Sequence, residues 1–247
     1  MNDFRFALRQ LRKSPAFTFV AVLTLALGIG ANTAIFSVVN AVLLKPLPFP
    51  APQQLVAMGS TNRHDDTGQE SLNSLSYPDY FDFRKDNHTL VSSAVYHEES
   101  VAFTDADGAQ SLAGVKASGE FFDALGVQPL LGHGFVRADE QAGGGPGGFK
   151  VILGYEFWQK HFGGDKNLLG RTVQLDRRPY TVIGVMPAHF QFPIQTEAVD
   201  LYTTIAEDAS NAEGFKPATE ARGSHSVVGI GRLKSGVSIA QAQADLS

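Results

Sequence analysis

The sequence predicts an α+β protein in which one N-terminal transmembrane helix precedes an extracytoplasmic body. Three observations support this prediction. Residues 16–44 contain no charged side chain over 29 positions. Four Lys or Arg side chains stand ahead of this run. Beyond it, short segments of alternating apolar residues and short helical segments are separated by turn-forming residues, which is the pattern of a mixed domain.

Residues 1–15 are predicted to form a cytoplasmic basic amphipathic stub. They carry a net charge of +3, and the rest of the 247-residue chain therefore carries −8 of the total −5. Phe4, Leu8 and Leu11 follow helical spacing, which suits a helix lying in the membrane interface. A merely basic flank is an equal alternative. In either case the excess of Lys and Arg before the apolar run predicts a cytoplasmic N-terminus. The acidic remainder argues against nucleic acid as a partner.

Residues 16–44 are predicted to form the transmembrane helix. About 20 apolar residues suffice to span a bilayer, and 29 residues reach about 43 Å, so the helix tilts or extends beyond the lipid. A buried core helix is one alternative, although such helices rarely run this long without charge. A cleaved signal peptide is another, with a weak cleavage match at Val39-Asn40-Ala41, but its apolar region would measure only about 7–15 residues.

Small residues recur at every fourth position of this span. Ala26, Gly30 and Ala34 form the repeat, and Asn32 and Asn40 add two polar side chains. Small side chains let helices approach closely in lipid, and an Asn inside a membrane favours a partner helix. We therefore predict a helix-packing face made of these five residues. Its partner is either the remaining helices of a permease or a second permease copy.

Residues 45–53 are predicted to be an extended Pro-rich linker, because four prolines between positions 46 and 52 exclude an α-helix.

The body, residues 54–247, is predicted to consist of short strands and short helices. Strands are predicted at 54–60, 91–104, 109–116, 151–153, 171–175, 180–185 and 226–232. Helices are predicted to begin at Ser76-Tyr77-Pro78, to cover 120–125 under a Ser118 cap, to cover 155–162, and to begin again at Ser238 with a capping box.

Connections follow from turn chemistry. Asp107-Gly108 predicts a hairpin turn between two long strands, and Gly126 and Gly163 are expected to end helices. Residues 143–148 (GGGPGG) are predicted to form a flexible loop, and residues 207–223 a loosely ordered stretch. The last helix stops after about two turns, too short to be stable by itself. We expect the chain to continue beyond Ser247.

No motif for catalysis or cofactor binding occurs. Gly28-Ile-Gly30 lacks the third glycine of a dinucleotide fingerprint, and residues 143–148 lack the Lys of a phosphate loop. The chain has no Cys, and its seven His are scattered. His97-Glu98-Glu99 is no ready metal pair, because adjacent strand residues face opposite ways. We predict no catalytic residue, no metal site and no cofactor.

Residues 8–50 and four stretches of the body resemble the MacB/FtsX-like ABC-type permeases, and most of all the duplicated orphan permeases of Acidobacteria. Residues 8–50 resemble the first membrane helix of that family. The body is similar to its MacB-like periplasmic core domain at SYPDYFDFR (76–84), SGEFFDALGVQPLLGHGF (118–135), 158–187 and 227–246. Two departures are His133, where the family usually has Arg, and the length of the 143–148 loop. The three later membrane helices of the family do not occur in the sequence.

The resemblance implies a porter-like part, at residues 54–60 and 227–246, with an inserted outer lobe formed by most of residues 76–206. It further implies a non-catalytic permease subunit of the bacterial inner membrane that serves efflux or mechanotransmission. A cytoplasmic ATPase subunit and envelope proteins are then expected partners. The alternative is a free-standing anchored extracytoplasmic domain for binding or assembly.

Overall fold

A computed structural model describes residues 13–39, 47–61, 72–105, 108–194, 198–209 and 216–245. The chain divides into two compact units, Met1–Pro48 and Phe49–Ser247, which are treated separately below. The predicted amphipathic stub, Asn40 and the Val39-Asn40-Ala41 cleavage match lie wholly or largely outside the described residues. So do residues 62–71 and the middle of the 207–223 stretch.

Helix α1 (Pro15–Val39) makes up the described part of the first unit. Among the described residues, Pro15–Ser37 is the one helical stretch that is long and apolar enough to cross a membrane. A helix of 25 residues is about 37 Å long, enough for a hydrocarbon core of about 30 Å. The hydroxyl groups of Thr24, Thr33 and Ser37 donate to carbonyls one turn earlier, so these polar groups are satisfied within α1 itself.

The second unit begins inside the predicted linker, at Phe49, rather than at residue 54. The Phe49 side chain is buried, and its ring packs edge-on against Phe190 and Phe192. Residues Pro52–Gln54 then form a 3-10 turn. The linker prediction was wrong for residues 49–53, because prolines exclude an α-helix but do not prevent an aromatic neighbour from packing into a core.

Within the described residues the body has eleven strands and four helices. The strands are β1 (Leu55–Met58), β2 (Ser60–Thr61), β3 (Leu72–Asn73), β4 (Leu90–Asp105), β5 (Gly108–Ala117), β6 (Leu131–Gly132), β7 (Lys150–Leu153), β8 (Thr172–Leu175), β9 (Arg178–Val185), β10 (Leu201–Thr204) and β11 (Val228–Leu233). The helices are α2 (Tyr77–Asp86), α3 (Phe121–Leu125), α4 (Tyr155–Phe162) and α5 (Ile239–Asp245).

Six strands of the main sheet close into a barrel. The order β4-β5-β10-β7-β9 is completed by β8, which pairs with β9 on one side and with the far end of β4 on the other. The β5–β10 and β7–β9 pairs are parallel and the others antiparallel. Side chains from all six strands and from α4 fill the interior, including Val101, Leu112, Val173, Val182 and Leu201.

Strand β6 extends the sheet beyond β9. The strands on the other side of the sheet form what we call the arm, which consists of β1, β11 and residues 90–96 of β4, together with helices α2 and α5. Strand β11 pairs with β1 and with the first half of β4. Tyr96 is the residue at which β4 changes partners, because it pairs with both Val228 of β11 and Ala117 of β5. Residues 90–96 of β4 therefore pair with β11, which contains residues of the expected porter-like part.

Most predicted elements are confirmed. The α4 helix has its predicted bounds. The Asp176-Arg177 turn joins β8 to β9 with both residues at positive φ, as a two-residue hairpin requires. In α5 the amide of Ser238 donates to the side chain of Gln241, whose own amide donates to the Ser238 hydroxyl, so the capping box is present.

Two local predictions were wrong. The Ser118 side chain does not cap α3; its hydroxyl accepts a hydrogen bond from the buried amide of Val95 instead. The 143–148 segment is not a free loop. Its Gly144, Pro146 and Gly148 carbonyls all accept hydrogen bonds from the ammonium group of Lys150, at 2.9–3.1 Å.

Candidate functional site

A cluster of charged side chains closes one end of the barrel. Its centre is Lys116 on β5, which shares a face with Leu112 of the barrel core because side chains alternate along a strand. The same alternation brings Glu99 on β4 and Thr203 on β10 to this end. The inward faces of three strands therefore change from apolar to polar at the same level.

The ammonium group of Lys116 is surrounded by carboxylates. Its Nζ lies 3.1 Å from Oε2 of Glu99, 3.4 Å from Oε2 of Glu207 and 3.1 Å from Oδ1 of Asp208. The Lys116 side chain is only 7% exposed. Glu207 and Asp208 belong to the turn that follows β10, and this turn is anchored by the fully buried Ile205.

A second set of contacts holds the carboxylates. The Tyr180 hydroxyl donates to Oε2 of Glu207 at 2.9 Å, and the Arg178 guanidinium lies 3.2 Å from Oε1 of the same residue. The Thr203 hydroxyl donates to Oε1 of Glu99 at 2.9 Å. Lys116 and Arg178 thus face the carboxylates of Glu99, Glu207 and Asp208. Buried charges destabilise a fold unless they are paired and hydrogen-bonded, and nearly every carboxylate oxygen here has a partner.

The cluster reaches the arm through Tyr77 of α2. The Tyr77 hydroxyl donates to Oδ2 of Asp208 at 3.2 Å and lies 3.1 Å from Nδ1 of His97. His97 follows Tyr96, at which β4 changes partners, and it stands opposite Lys116 in the β4–β5 register. The cluster therefore joins the arm to the barrel at the one strand they share.

The pKa values reflect burial and charge. Burial alone would lower the pKa of Lys116, but Glu99, Asp208 and Glu207 outweigh it and raise the pKa well above its ordinary value. Burial, and then the charge of Asp208, raise the pKa of Tyr77. Burial lowers the pKa of His97 below 6.5 and outweighs the attraction of Asp208.

These properties suit a structural joint rather than a reacting centre. A lysine with a raised pKa is a poor base and a poor nucleophile, and the same holds for a buried tyrosine that stays protonated. Among the residues that the structure describes, no three His, Asp or Glu side chains are placed to hold a metal ion. The arrangement fixes the positions of α2, β4, β5 and the turn after β10.

Comparison with known proteins gives the family. The family model of the MacB-like periplasmic core domain matches residues 18–247, which include the whole body and most of α1. The chain belongs to this family. No curated protein matches the chain.

Two solved structures share the MacB-like fold. The periplasmic region of MacB from Actinobacillus actinomycetemcomitans has a TM-score of 0.53 at 16% identity, over 78% of this chain and 80% of that one. A domain of a putative permease protein from Porphyromonas gingivalis has a TM-score of 0.52 at 17% identity, over 77% and 79%. At these identities the similarity concerns the fold alone.

Helix α1 of this MacB-like chain places only some residues of the predicted helix-packing face on one side of the helix. At about 100° per residue, Ala26, Gly30 and Ala34 lie on one side of the helix. Asn32, two residues beyond Gly30, lies about 200° around the axis from it. The small residues and Asn32 thus lie on two opposite sides of α1, and Asn40 is outside the described residues.

Sequence reasoning missed the Lys116 cluster. The signal was present in the two strands that it predicted to pair. Lys116 follows Leu112 at even spacing, and Glu99 precedes Val101 and Phe103 at even spacing, so opposite charges stand on two strand faces that also carry apolar core residues. The second and third carboxylates, Glu207 and Asp208, come from the turn after β10, a strand that the sequence analysis did not predict.

Proposed function

We propose that the chain is the non-catalytic, membrane-anchored, extracytoplasmic part of an ABC-type permease that serves efflux or mechanotransmission. The observation that supports this most strongly is the family match, which runs without interruption from α1 into the body. The role assigns α1 to anchoring and to contact with other membrane helices, and assigns the body to the extracytoplasmic side.

The positive residues ahead of α1 support the orientation, because loops rich in Lys and Arg stay in the cytoplasm. The first test is fractionation of cells that express the full chain. We expect the protein in the membrane fraction, with the body cleaved by protease added to spheroplasts and protected in intact cells. Recovery from the periplasmic extract of a chain lacking residues 1–41 would contradict the anchor.

The raised pKa of Lys116 makes it a poor base and a poor nucleophile, which supports a non-catalytic role. A measurement of ATP hydrolysis tests that role. The purified chain is expected to hydrolyse ATP no faster than a matched blank from cells carrying the empty vector. In an ABC-type permease the ATPase subunit supplies that activity, so turnover by this chain alone would overturn the assignment.

The second candidate is a free-standing anchored domain that binds a protein or ligand for sensing or assembly. It is favoured by the presence of a single candidate span among the described residues. Sequencing the gene beyond codon 247 separates the two. Codons for further apolar spans support the permease, in which this chain is an N-terminal fragment, and a stop codon supports the free-standing domain.

A further inference from the structure

A glycine-rich turn ahead of β7 surrounds one ammonium group with oxygen atoms. Nζ of Lys150 lies 2.9 Å from the carbonyl oxygens of Gly144 and Pro146, 3.1 Å from that of Gly148 and 2.9 Å from Oδ1 of Asp139. The Lys150 side chain is only 12% exposed. Three backbone carbonyls and one carboxylate thus converge on a single point, and we call these four oxygen atoms the carbonyl cradle.

The local backbone brings the oxygens of the cradle together. Gly144 and Gly145 have φ angles of +89° and +63°, and a Cβ on either residue would collide with neighbouring backbone atoms. The carboxylate of Asp139 is held from its other side, because Oδ2 accepts a hydrogen bond of 3.0 Å from the amide of Val136. Oxygen atoms placed this close repel one another, so the cradle needs a positive charge at its centre.

The arrangement has the geometry of a cation site. An ammonium group has only three hydrogens to donate, whereas four oxygens lie within 3.1 Å of Nζ. A spherical ion contacts all four equally well. In potassium channels, carbonyl oxygens replace the hydration shell of K⁺, whereas Ca²⁺ takes its oxygens at about 2.3–2.6 Å and Mg²⁺ at about 2.0–2.1 Å. The single carboxylate of the cradle also balances a single positive charge.

We propose that the carbonyl cradle is a binding site for a monovalent cation of the size of K⁺ or ammonium, and that Lys150 supplies its occupant. When the ammonium group is removed by truncation of the side chain, K⁺ or a primary alkylammonium ion from solution takes its place. In the parent chain Lys150 fills the site, so the glycine-rich turn needs no ion from solution. This site goes beyond the proposed function, which assigns no ligand to the body.

The variant Lys150→Ala tests this, because it removes the ammonium and leaves space along the path of the lysine stem. The full chain in detergent is digested with proteinase K in choline, sodium or potassium chloride at one ionic strength. Mass spectrometry follows cleavage between residues 141 and 149. Choline is too bulky to enter the cradle, so cleavage should be fast in its presence. A cation at about ten times its Kd lowers the population of the open segment about tenfold, so cleavage in potassium chloride should be about tenfold slower.

A second probe replaces the missing part of the side chain itself. The n-propylammonium ion carries the stem and the ammonium group that Lys150→Ala lacks, and it should protect the segment in the same digestion. Na⁺ is smaller than K⁺ and should protect less. Equal protection by Na⁺ and K⁺ would contradict the assigned size of the ion. The parent and Lys160→Ala, at an exposed lysine, are the controls and should be cut equally slowly in every salt.

Three outcomes would overturn the proposal. The first is equal cleavage of Lys150→Ala in choline and potassium chloride. The second is protection of the parent by K⁺, because the ion would then act elsewhere on the chain. The third is a Lys150→Ala chain that stays unfolded in every salt by the fluorescence of its single Trp, because no cation would then substitute for the ammonium. None of these measurements involves a transport partner, so their failure is distinct from failure of the proposed function.

Discussion

The guanidinium group of Arg232 on β11 donates a hydrogen bond of 2.8 Å to the carbonyl of Pro50, where the chain enters the body. The same side chain donates through Nε to the carbonyl of Ala124 at the end of α3, at 2.9 Å. Together with the buried ring of Phe49, it ties the first residues of the body to the sheet.

Replacing Arg232 by Met should loosen residues 49–55, the first residues of the body, without unfolding the body. Hydrogen bonds from a charged donor contribute about 1.5–3 kcal/mol each. We therefore expect the amides of Gln54 and Leu55, which close the 3-10 turn, to exchange at least about tenfold faster with deuterium. Arg171→Met, at an exposed ion pair with Asp165, is the matched control. Unchanged deuterium exchange in peptides covering residues 49–58 would show that the Arg232 hydrogen bonds do not hold the start of the body in place.

Lys116→Met should strongly destabilise the body. The substitution keeps the length of the side chain but leaves three carboxylates of the cluster without their central cation. Removing one partner of a buried ion pair costs about 3–5 kcal/mol. Chemical unfolding of the full chain in detergent, followed by its single Trp, measures the loss. Lys160→Met, on an exposed lysine, should change the free energy of unfolding by less than about 0.5 kcal/mol. A similar effect of both substitutions would rule out a stabilising role for the cluster.

The elements of the body differ in whether the sequence alone could predict them. The β4–β5 hairpin, α4 and the α5 capping box follow from local patterns, because alternation, caps and turn residues act over a few positions. Strand β10 was missed although all four of its residues are buried. Its sequence, LYTT, gives no alternation to detect, and it lies parallel to β5 through contacts that are distant along the chain. The Lys116 cluster depends on that strand and its turn, so no local pattern could assemble it.

The glycine-rich segment illustrates the same point and gives a further prediction. Glycines allow the positive φ angles at Gly143, Gly144 and Gly145, but they do not reveal that Lys150 will draw the carbonyls inward. The Lys150 ammonium also lies 2.9 Å from Oδ1 of Asp139, a carboxylate that is 6% exposed.

Lys150→Met should therefore release this segment and leave the Asp139 carboxylate without its cation. We expect a loss of about 3 kcal/mol in the free energy of unfolding, together with new protease cleavage between residues 141 and 149. Lys160→Met again serves as the control, and cleavage elsewhere in the chain should not change. Resistance of the 141–149 segment in the Lys150 variant would show that the glycine carbonyls do not depend on this contact.

The small-residue side of α1 gives the last prediction, which concerns the membrane. Gly30 lies between Ala26 and Ala34, and a Cβ built on it meets no heavy atom within 4 Å. A leucine is therefore accommodated by α1 itself, and its greater apolarity favours insertion. Helices in lipid associate through close packing, because lipid tails solvate apolar surface as well as another helix does. Gly30→Leu should thus leave insertion intact but weaken contact with other permease helices or with a second copy.

A membrane two-hybrid assay with residues 1–50 as bait measures this association, and membrane fractionation of the same cells measures insertion. Val22→Leu is the control, because it exchanges one large apolar side chain for another and should change neither signal. Gly30→Leu adds four carbon atoms where a partner backbone would approach, so the two helices must move apart and lose packing contacts, and association should fall severalfold. If Gly30→Leu associates as strongly as the parent, this side of α1 has no packing role. The free-standing anchored domain then becomes the better account of the chain, because a lone anchor needs no close approach to a partner helix.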